Sequence, residues 1–234
     1  MNDDEFIYGR NPVREAIAAG RRTIDEVWVL PQLAETEWLT GVKVKIRSKA
    51  EIGHMAGTGD HQGIMAFTDA YPYASEREML RAPKPIVVLD GAQDPRNFGA
   101  ICRVADAAGA IGIVMPRRGS PGVTATVCKT SAGAVEHLLV ARVDSIAGFL
   151  SEAADIGRLI VGSDAEAPTD FRSVTWTPNS VIVMGSEGAG LRPKVAAGCT
   201  HMVSIPMQGK VASLNLSVAC ALLLFEAVRG DIST

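Results

Sequence analysis

Five short runs in the second part of the chain are almost continuously apolar: IVVLD (86–90), IGIVM (111–115), LIVGSD (159–164), VIVM (181–184) and MVSIP (202–206). Strands without a polar face must be covered on both sides, and a parallel sheet sandwiched between helices does this. The intervening segments supply the covers. FGAICRVADAAG (98–109), DSIAGFLSEAADIG (144–157) and LNLSVACALLLFEAVRG (214–230) read as helices. The alternation defines an α/β layout, with no internal repeat or low-complexity tract to interrupt it.

The last of these helices has no polar face over two turns, Val218 to Phe225. A helix apolar all round needs partners on all sides. One small domain cannot provide them, so a homodimer is expected.

Composition narrows the class. Of 234 residues, 47% are hydrophobic and 21% charged, the balance of an ordinary globular protein. No apolar run approaches the roughly 18 residues that cross a bilayer. The acidic start MNDDEF lacks the basic-then-apolar pattern of a signal peptide. A cytoplasmic protein with no membrane partner is expected. Four scattered cysteines and four histidines show no ligand spacing, so reduced thiols and no metal site are expected. The net charge of −3 does not advertise nucleic-acid binding, and residues 1–72 hold 8 basic against 11 acidic side chains. Any basic surface is therefore local.

Residues 71–85, YPYASEREMLRAPKP, carry three prolines and no strong apolar period. They divide the chain into a domain over 1–72, a linker over 73–85 with room for one helical turn, and a domain over 86–234. The first domain reads as small and α/β. NPVREAIAAG (11–20) is a short helix with Asn11 as N-cap and Gly20 beyond its end. DEVWVL (25–30), VKVKIRS (42–48) and QGIMAF (62–67) are strands. In the second, Lys43, Lys45 and Arg47 alternate with Val42, Val44 and Ile46, giving either a basic stripe for phosphates or a solvated edge guarded by charge.

The chemistry-bearing residues cluster after strands. DGAQDPRNFGAICR (90–103) leaves a strand and opens a helix, with Asn97 expected as its N-cap and Arg103 off the inward stripe. GSEGAGL (185–191) and SIPMQGKVASLNLSVA (204–219) are small-residue loops, where backbone can approach a ligand closely. The first is not a GxGxxG fingerprint, and no carboxylate follows about 20 residues on to hold a ribose, which disfavours NAD. Gly209-Lys210 lacks the surroundings of a P-loop. Ser213 and Asn215 are both good helix-capping residues.

In combination, DPRNFGAICR (94–103), VMGSEGAGL (183–191) and IPMQGKVASLNLSVA (205–219) resemble the three motifs of the SpoU/TrmH family of SPOUT RNA ribose methyltransferases. TSAGAVEHLLVARV (130–143) is similar to that family's sequence between its first two motifs. YGRNPVREAI (8–17) and HQGIMA (61–66) are similar to its substrate-binding domain, a small fold like an RNA-binding ribosomal protein. The resemblance spans nearly the whole chain. It is nearest to the bacterial enzymes that methylate a guanosine ribose in large-subunit ribosomal RNA.

The resemblance implies methyl transfer from S-adenosylmethionine to a ribose 2′-hydroxyl, on a trefoil-knotted α/β domain that dimerises. It maps cofactor contacts onto Gly185, Ile205 and Leu214, with Gly188, Met207 and Asn215 completing the pocket. It maps catalytic roles onto Arg103, Asn97, Glu187, Ser213 and Asn215. Arg103 matches the family's proposed general base. Deprotonating any arginine at neutral pH costs roughly 7 kcal/mol, so a charged Arg103 stabilising the developing alkoxide is the alternative. Asn97 and Ser213 would orient the ribose or its phosphate, and Glu187 would order the loops. Candidate RNA contacts are Arg10, Arg14, Lys43, Lys45, Arg47, Arg117 and Arg118. A transfer RNA enzyme, an antibiotic-resistance ribosomal methyltransferase and a non-catalytic ribosome-assembly factor are the competing readings.

Overall fold

The computed structural model describes residues 6–186, 188–211 and 213–229. In chain order its elements are β1 (Phe6–Tyr8), α1 (Arg10–Ala19), β2 (Ile24–Val29), β3 (Val44–Ile46), α2 (Lys49–Ala56), β4 (Ile64–Thr68), α3 (Glu76–Arg81), β5 (Ile86–Asp90), α4 (Pro95–Ala107) and β6 (Gly112–Pro116). Then follow α5 (Ala125–Thr130), β7 (Leu139–Val143), α6 (Ile146–Asp155), β8 (Ile160–Ser163), β9 (Thr169–Asp170), β10 (Val181–Gly185), α7 (Pro193–Ala196), β11 (His201–Ser204) and α8 (Leu216–Ala227). They form two compact units. One takes the chain up to Pro72 together with Gly122–His137; the other takes Tyr73–Pro121 and the chain from Leu138.

The first unit is built on a four-stranded sheet in the order β1-β4-β2-β3, antiparallel except for β2 and β3. β4 is central, and all of its residues but Phe67 are buried. Helix α1 starts at Arg10 behind Gly9, so Asn11 lies inside the first turn rather than at its cap. Gly20 ends it in the left-handed conformation, φ 59. Helix α2 carries a capping box: Ser48 Oγ accepts from Glu51 N, and Glu51 Oε2 accepts from Ser48 N at 2.8 Å.

Residues 122–137, assigned by the sequence to the second domain, pack into this first unit. The reason is a buried ion pair. Arg22 donates from Nε to Glu136 Oε2 at 3.1 Å and from Nη2 to Glu136 Oε1 at 2.5 Å, with both side chains at most 1% exposed. Tyr71 lies under the Arg22 guanidinium, 5.3 Å from ring centre, and its hydroxyl donates to Val135 O at 3.0 Å. Burial pushes the neighbouring Cys128 thiol up to about 12, so it stays protonated. Removing one partner of such a pair strands a buried charge. Glu136→Ala is therefore expected to lower stability by about 3–5 kcal/mol. A denaturant midpoint unchanged from the parent protein would refute that.

The second unit holds a seven-stranded sheet in the order β7-β6-β5-β10-β8-β11-β9, with every pairing parallel. The apolar runs occupy its centre: every residue of β5 and β10 is buried. Two strands escaped the reading of apolar runs. β7 is one edge, with Arg142 interrupting its hydrophobics, and β9 is two residues long.

Residues 73–85 are built structure rather than a linker. Ala74 bridges Ala141 in parallel fashion, and α3 follows. The buried Arg158 guanidinium then gathers backbone carbonyls. Nη1 donates to Lys84 O and Asn179 O at 3.0 Å each; Nη2 donates to Met79 O at 3.2 Å, to Leu80 O at 3.1 Å and to Ala82 O. A fork of fixed donors suits a cluster of carbonyls that no helix or sheet satisfies. Burial lowers the Arg158 pKa from its ordinary value.

Helix α8 buries Leu216, Cys220, Leu223, Leu224 and Ala227, packing on α4 and β10. Its other face leaves Val218, Leu222 and Phe225 between 41% and 47% exposed. Spaced by four and three residues, they form one stripe.

Candidate active site

The register of the central strands sets the site. β5 and β10 pair so that Asp90 lies beside Gly185 at the carboxyl end of the sheet. Ligands of parallel α/β sheets bind at that edge. Beyond Gly185 the chain makes a tight turn in which Ser186 N donates to Gly190 O at 3.0 Å and Gly190 N to Ser186 O at 3.1 Å. The turn closes directly over Gly185. A Cβ there would fall 2.3 Å from Gly190 C and 2.6 Å from Leu191 N.

The buried Asp90 carboxylate holds this turn from below. Its Oδ2 accepts from Arg192 N at 3.0 Å, and its Oδ1 accepts from Arg192 Nε at 2.8 Å and Nη2 at 2.5 Å. This carboxylate raises the Arg192 pKa further. Neither residue was singled out in the sequence. The signal was an aspartate ending an otherwise apolar strand, where a lone buried carboxylate requires a partner.

The first motif begins four residues after Asp90. Asp94, not Asn97, caps α4: Asp94 Oδ1 accepts from Arg96 N at 2.8 Å, and Pro95 takes the first helical position. Proline fits there because that position needs no donor, so the helix starts three residues earlier than expected. Asn97 is freed for another task. Its Oδ1 accepts from Asn215 Nδ2 at 2.9 Å. Asn215 in turn caps α8, its Oδ1 accepting from Ser217 N at 2.9 Å. The first and third motifs are thus tied by one amide pair.

A cavity of about 830 Å³ opens between the loops. Gly185, Gly188, Ile205, Met207, Leu214 and Asn215 line it, as does Ser213. So do Asp164 and Glu166 from the loop after β8, which the sequence reading passed over. Asp164 is held by its N–H to Val203 O at 2.9 Å, and its Oδ1 accepts from Glu166 N at 2.9 Å. An adjoining cavity of about 390 Å³ is lined by Gly91, Asp94 and Asn97, and shares Ser186 and Leu216 with the first. Arg103 lines neither. It is exposed on α4, and its guanidinium has no partner among the described residues. Glu187 lies outside the described residues.

The candidate RNA contacts divide. Lys43 and Lys45 both pair with Glu26, at 3.0 and 2.6 Å. Lys45, then Trp28, holds the Glu26 carboxyl down at about 2. Arg47 stacks over the Trp28 ring at 4.9 Å. The stripe is partly neutralised, because β2 and β3 are neighbours and present one carboxylate, Glu26, beside the two lysines. Arg14 pairs with Glu15, and Arg117 with Asp144. The side chains of Arg10 and Arg118 are exposed.

A fully parallel sheet with a small-residue cavity at its carboxyl edge has the usual ligand-binding place of such folds, and comparison with known proteins supplies the class. Residues 84–225 match the SpoU rRNA Methylase family, and residues 6–74 match the RNA 2′-O ribose methyltransferase substrate-binding family. The chain is 37% identical to a putative TrmH family tRNA/rRNA methyltransferase of Bacillus subtilis, over 96% of this chain and 95% of that protein. Among solved structures, the S-adenosylmethionine-bound rRNA methyltransferase of Sinorhizobium meliloti superposes with a TM-score of 0.82 at 27% identity, covering 98% of this chain and 88% of that one. The cofactor complex of the SpoU methyltransferase AviRb from Streptomyces viridochromogenes gives 0.80 at 26% identity, covering 98% and 91%. The chain belongs to the SpoU/TrmH family of RNA 2′-O-ribose methyltransferases, and its cofactor is S-adenosylmethionine.

The residues present fit that cofactor. About 830 Å³ is within the range of pockets that enclose a molecule of this size. Ile205, Met207 and Leu214 offer apolar surface for a purine. The carboxylates of Asp164 and Glu166 offer acceptors for hydroxyl or ammonium groups. At Gly185 the absent Cβ lets the turn close at all.

Proposed function

We infer that the substrate is large-subunit ribosomal RNA and that the methylated group is a guanosine 2′-hydroxyl. The observation that carries this reading is the first unit. The chain aligns over 98% of its length with the Sinorhizobium meliloti rRNA methyltransferase, but over 66%, at a TM-score of 0.56, with the TrmH/SpoU tRNA modifying enzyme of A. aeolicus. The guanosine rests on the motif resemblance. The test is transfer to large-subunit ribosomal RNA and to transfer RNA transcripts at equal concentration. A higher kcat/KM on the ribosomal transcript is the expected result, and the reverse order would move the chain to transfer RNA modification.

The bound cofactor supplies a methyl already activated on a sulfonium. What remains for the protein is to bring a ribose oxygen in line with it and to favour the charge that develops there. Asn97 and Ser213 orient the ribose or its phosphate. Asn215 fixes the start of α8 and the cavity wall, and Glu187 orders the turn. Arg103 stabilises the alkoxide or takes its proton. Because Arg103 does not line its own cavity, we assign it to the site of a second copy. The exposed stripe of Val218, Leu222 and Phe225 supports a homodimer through the catalytic unit, since a row of large apolar side chains marks a protein contact. The loops after β10 and β11 would form the family's trefoil knot. The enzyme would act in the cytoplasm; among the described residues no helix is long and apolar enough to cross a membrane, and no cluster could hold a metal ion.

A further inference from the structure

The first unit contains a cavity of about 640 Å³, lined by Lys49, Ala50, Gly53, Gly57, Thr58, Gly59 and His61. His61 is 1% exposed, and its Nδ1 accepts a hydrogen bond from Gly63 N at 3.0 Å. An imidazole whose Nδ1 accepts carries its proton on Nε2. That Nε2–H has no acceptor among the described residues, although the ring is buried. Among the described residues the fully buried side-chain atoms without a partner are Ser120 Oγ, Arg142 Nε and Arg158 Nε; His61 Nε2 is not one of them, so it opens onto the cavity, where water or a ligand completes it.

Gly53 keeps this donor uncovered. A Cβ built at Gly53 would sit 3.6 Å from His61 Nε2, so a longer side chain at that position would lie across it. Lys49, at the start of α2, is exposed and forms no ion pair with a described residue, in contrast to Lys43 and Lys45. Thr58 Oγ1 is already engaged, accepting from Asp60 N at 3.1 Å. No Phe, Tyr or Trp lines the cavity, and the one imidazole is buried, so no broad ring face is offered to a base. A wall that offers a cation and an N–H donor matches a group with acceptor oxygens only. Burial, then the charges of Lys49 and Lys129, hold the His61 pKa below its ordinary value, which keeps the ring a neutral single donor at pH 7.

We propose that this cavity seats one backbone phosphate of the RNA substrate, with His61 Nε2–H and the Lys49 ammonium as its donors and Gly53 holding the approach open. The proposal rests on the reading of the chain as an RNA-modifying enzyme and adds the point at which its first unit grips the RNA.

The test is RNA binding by the full chain, read by fluorescence anisotropy. Each variant is compared with the parent on whichever transcript, ribosomal or transfer RNA, the parent binds more tightly. A preference for transfer RNA would thus overturn the ribosomal reading without deciding the pocket. Gly53→Leu and His61→Asn are each expected to weaken binding about fivefold or more, the value of one hydrogen bond. Leucine is at least as good a helix former as glycine, so Gly53→Leu keeps the fold. Lys49→Ala is expected to weaken binding and to flatten the slope of log K against log salt by about 0.7–0.9; His61→Asn leaves the slope unchanged because the ring is neutral. Affinity for S-adenosylhomocysteine, measured by calorimetry, stays at the parent value in all three. RNA affinity unchanged in both Gly53→Leu and Lys49→Ala, with parental Tm, would overturn the proposal.

Discussion

Replacing Arg103 by alanine is expected to reduce methyl transfer by about 10²–10³-fold, the loss typical of removing one donor from a developing oxyanion. Affinity for S-adenosylhomocysteine is expected to stay within about twofold of the parent, because Arg103 is exposed on α4 and lines neither cavity. The same exposure predicts little change in stability. Arg103→Lys separates the two roles. A lysine keeps a positive charge near the oxygen, so partial activity would mark electrostatic stabilisation, whereas a strict need for the guanidinium would mark its geometry or its use as a base. Near-normal turnover in Arg103→Ala would remove the residue from the mechanism.

Gly185→Ala is expected to abolish cofactor binding, lowering affinity for S-adenosylhomocysteine by about 100-fold or more. The physical ground is steric. The new Cβ would meet Gly190 C at 2.3 Å, Gly190 O at 2.5 Å and Leu191 N at 2.6 Å, all of them backbone atoms. No rotamer change relieves such a contact, so the turn must open, and the turn lines the cavity. The accompanying loss of stability is expected at about 1–3 kcal/mol, the usual cost of overpacking. Circular dichroism and Tm would show that the variant remains folded. Cofactor affinity within twofold of the parent would mean that the turn is not part of the pocket.

The two variants together test the dimer. If Arg103 of one copy serves the cavity of the other, mixing Arg103→Ala and Gly185→Ala subunits creates heterodimers with one intact site. Random pairing would then restore about a quarter of parental activity. Two inactive proteins that stay inactive after mixing and exchange would place Arg103 and the cofactor on the same chain.

Much of the fold was legible because burial writes itself into composition. IVVLD and VIVM have no polar face, and they became the central strands β5 and β10. Helix α8 was apolar all round, and it divides its hydrophobics between the core and an exposed stripe. What escaped depends on partners distant in sequence. Nothing local to Glu136 announces Arg22, so the packing of residues 122–137 into the first unit was not legible in the sequence. Nothing local to Arg158 announces the carbonyls of residues 79–84, so a built segment looked like a linker. The S-x-x-E box at Ser48 and Glu51 was a local signal for α2 that the search for apolar periods passed over.

The site divides in the same way. Gly185, Gly188, Ile205, Met207, Leu214 and Asn215 were named from small-residue loops and family motifs, and they meet at one cavity. The Asn97–Asn215 bond and the Asp90–Arg192 clamp join residues about 100 apart or more, which spacing alone cannot reveal. Lys43 and Lys45 show the opposite case. An alternating strand shows its charges but not the glutamate on the neighbouring strand that pairs with both lysines.

The most direct measurement is transfer of a tritiated methyl group from S-adenosylmethionine to ribosomal and transfer RNA, followed by mapping of the labelled nucleotide. The expected result is label on the 2′-oxygen of one guanosine in large-subunit ribosomal RNA, lost in both Arg103→Ala and Gly185→Ala. Label on a base, or no label in any RNA from a protein that binds the cofactor, would contradict it.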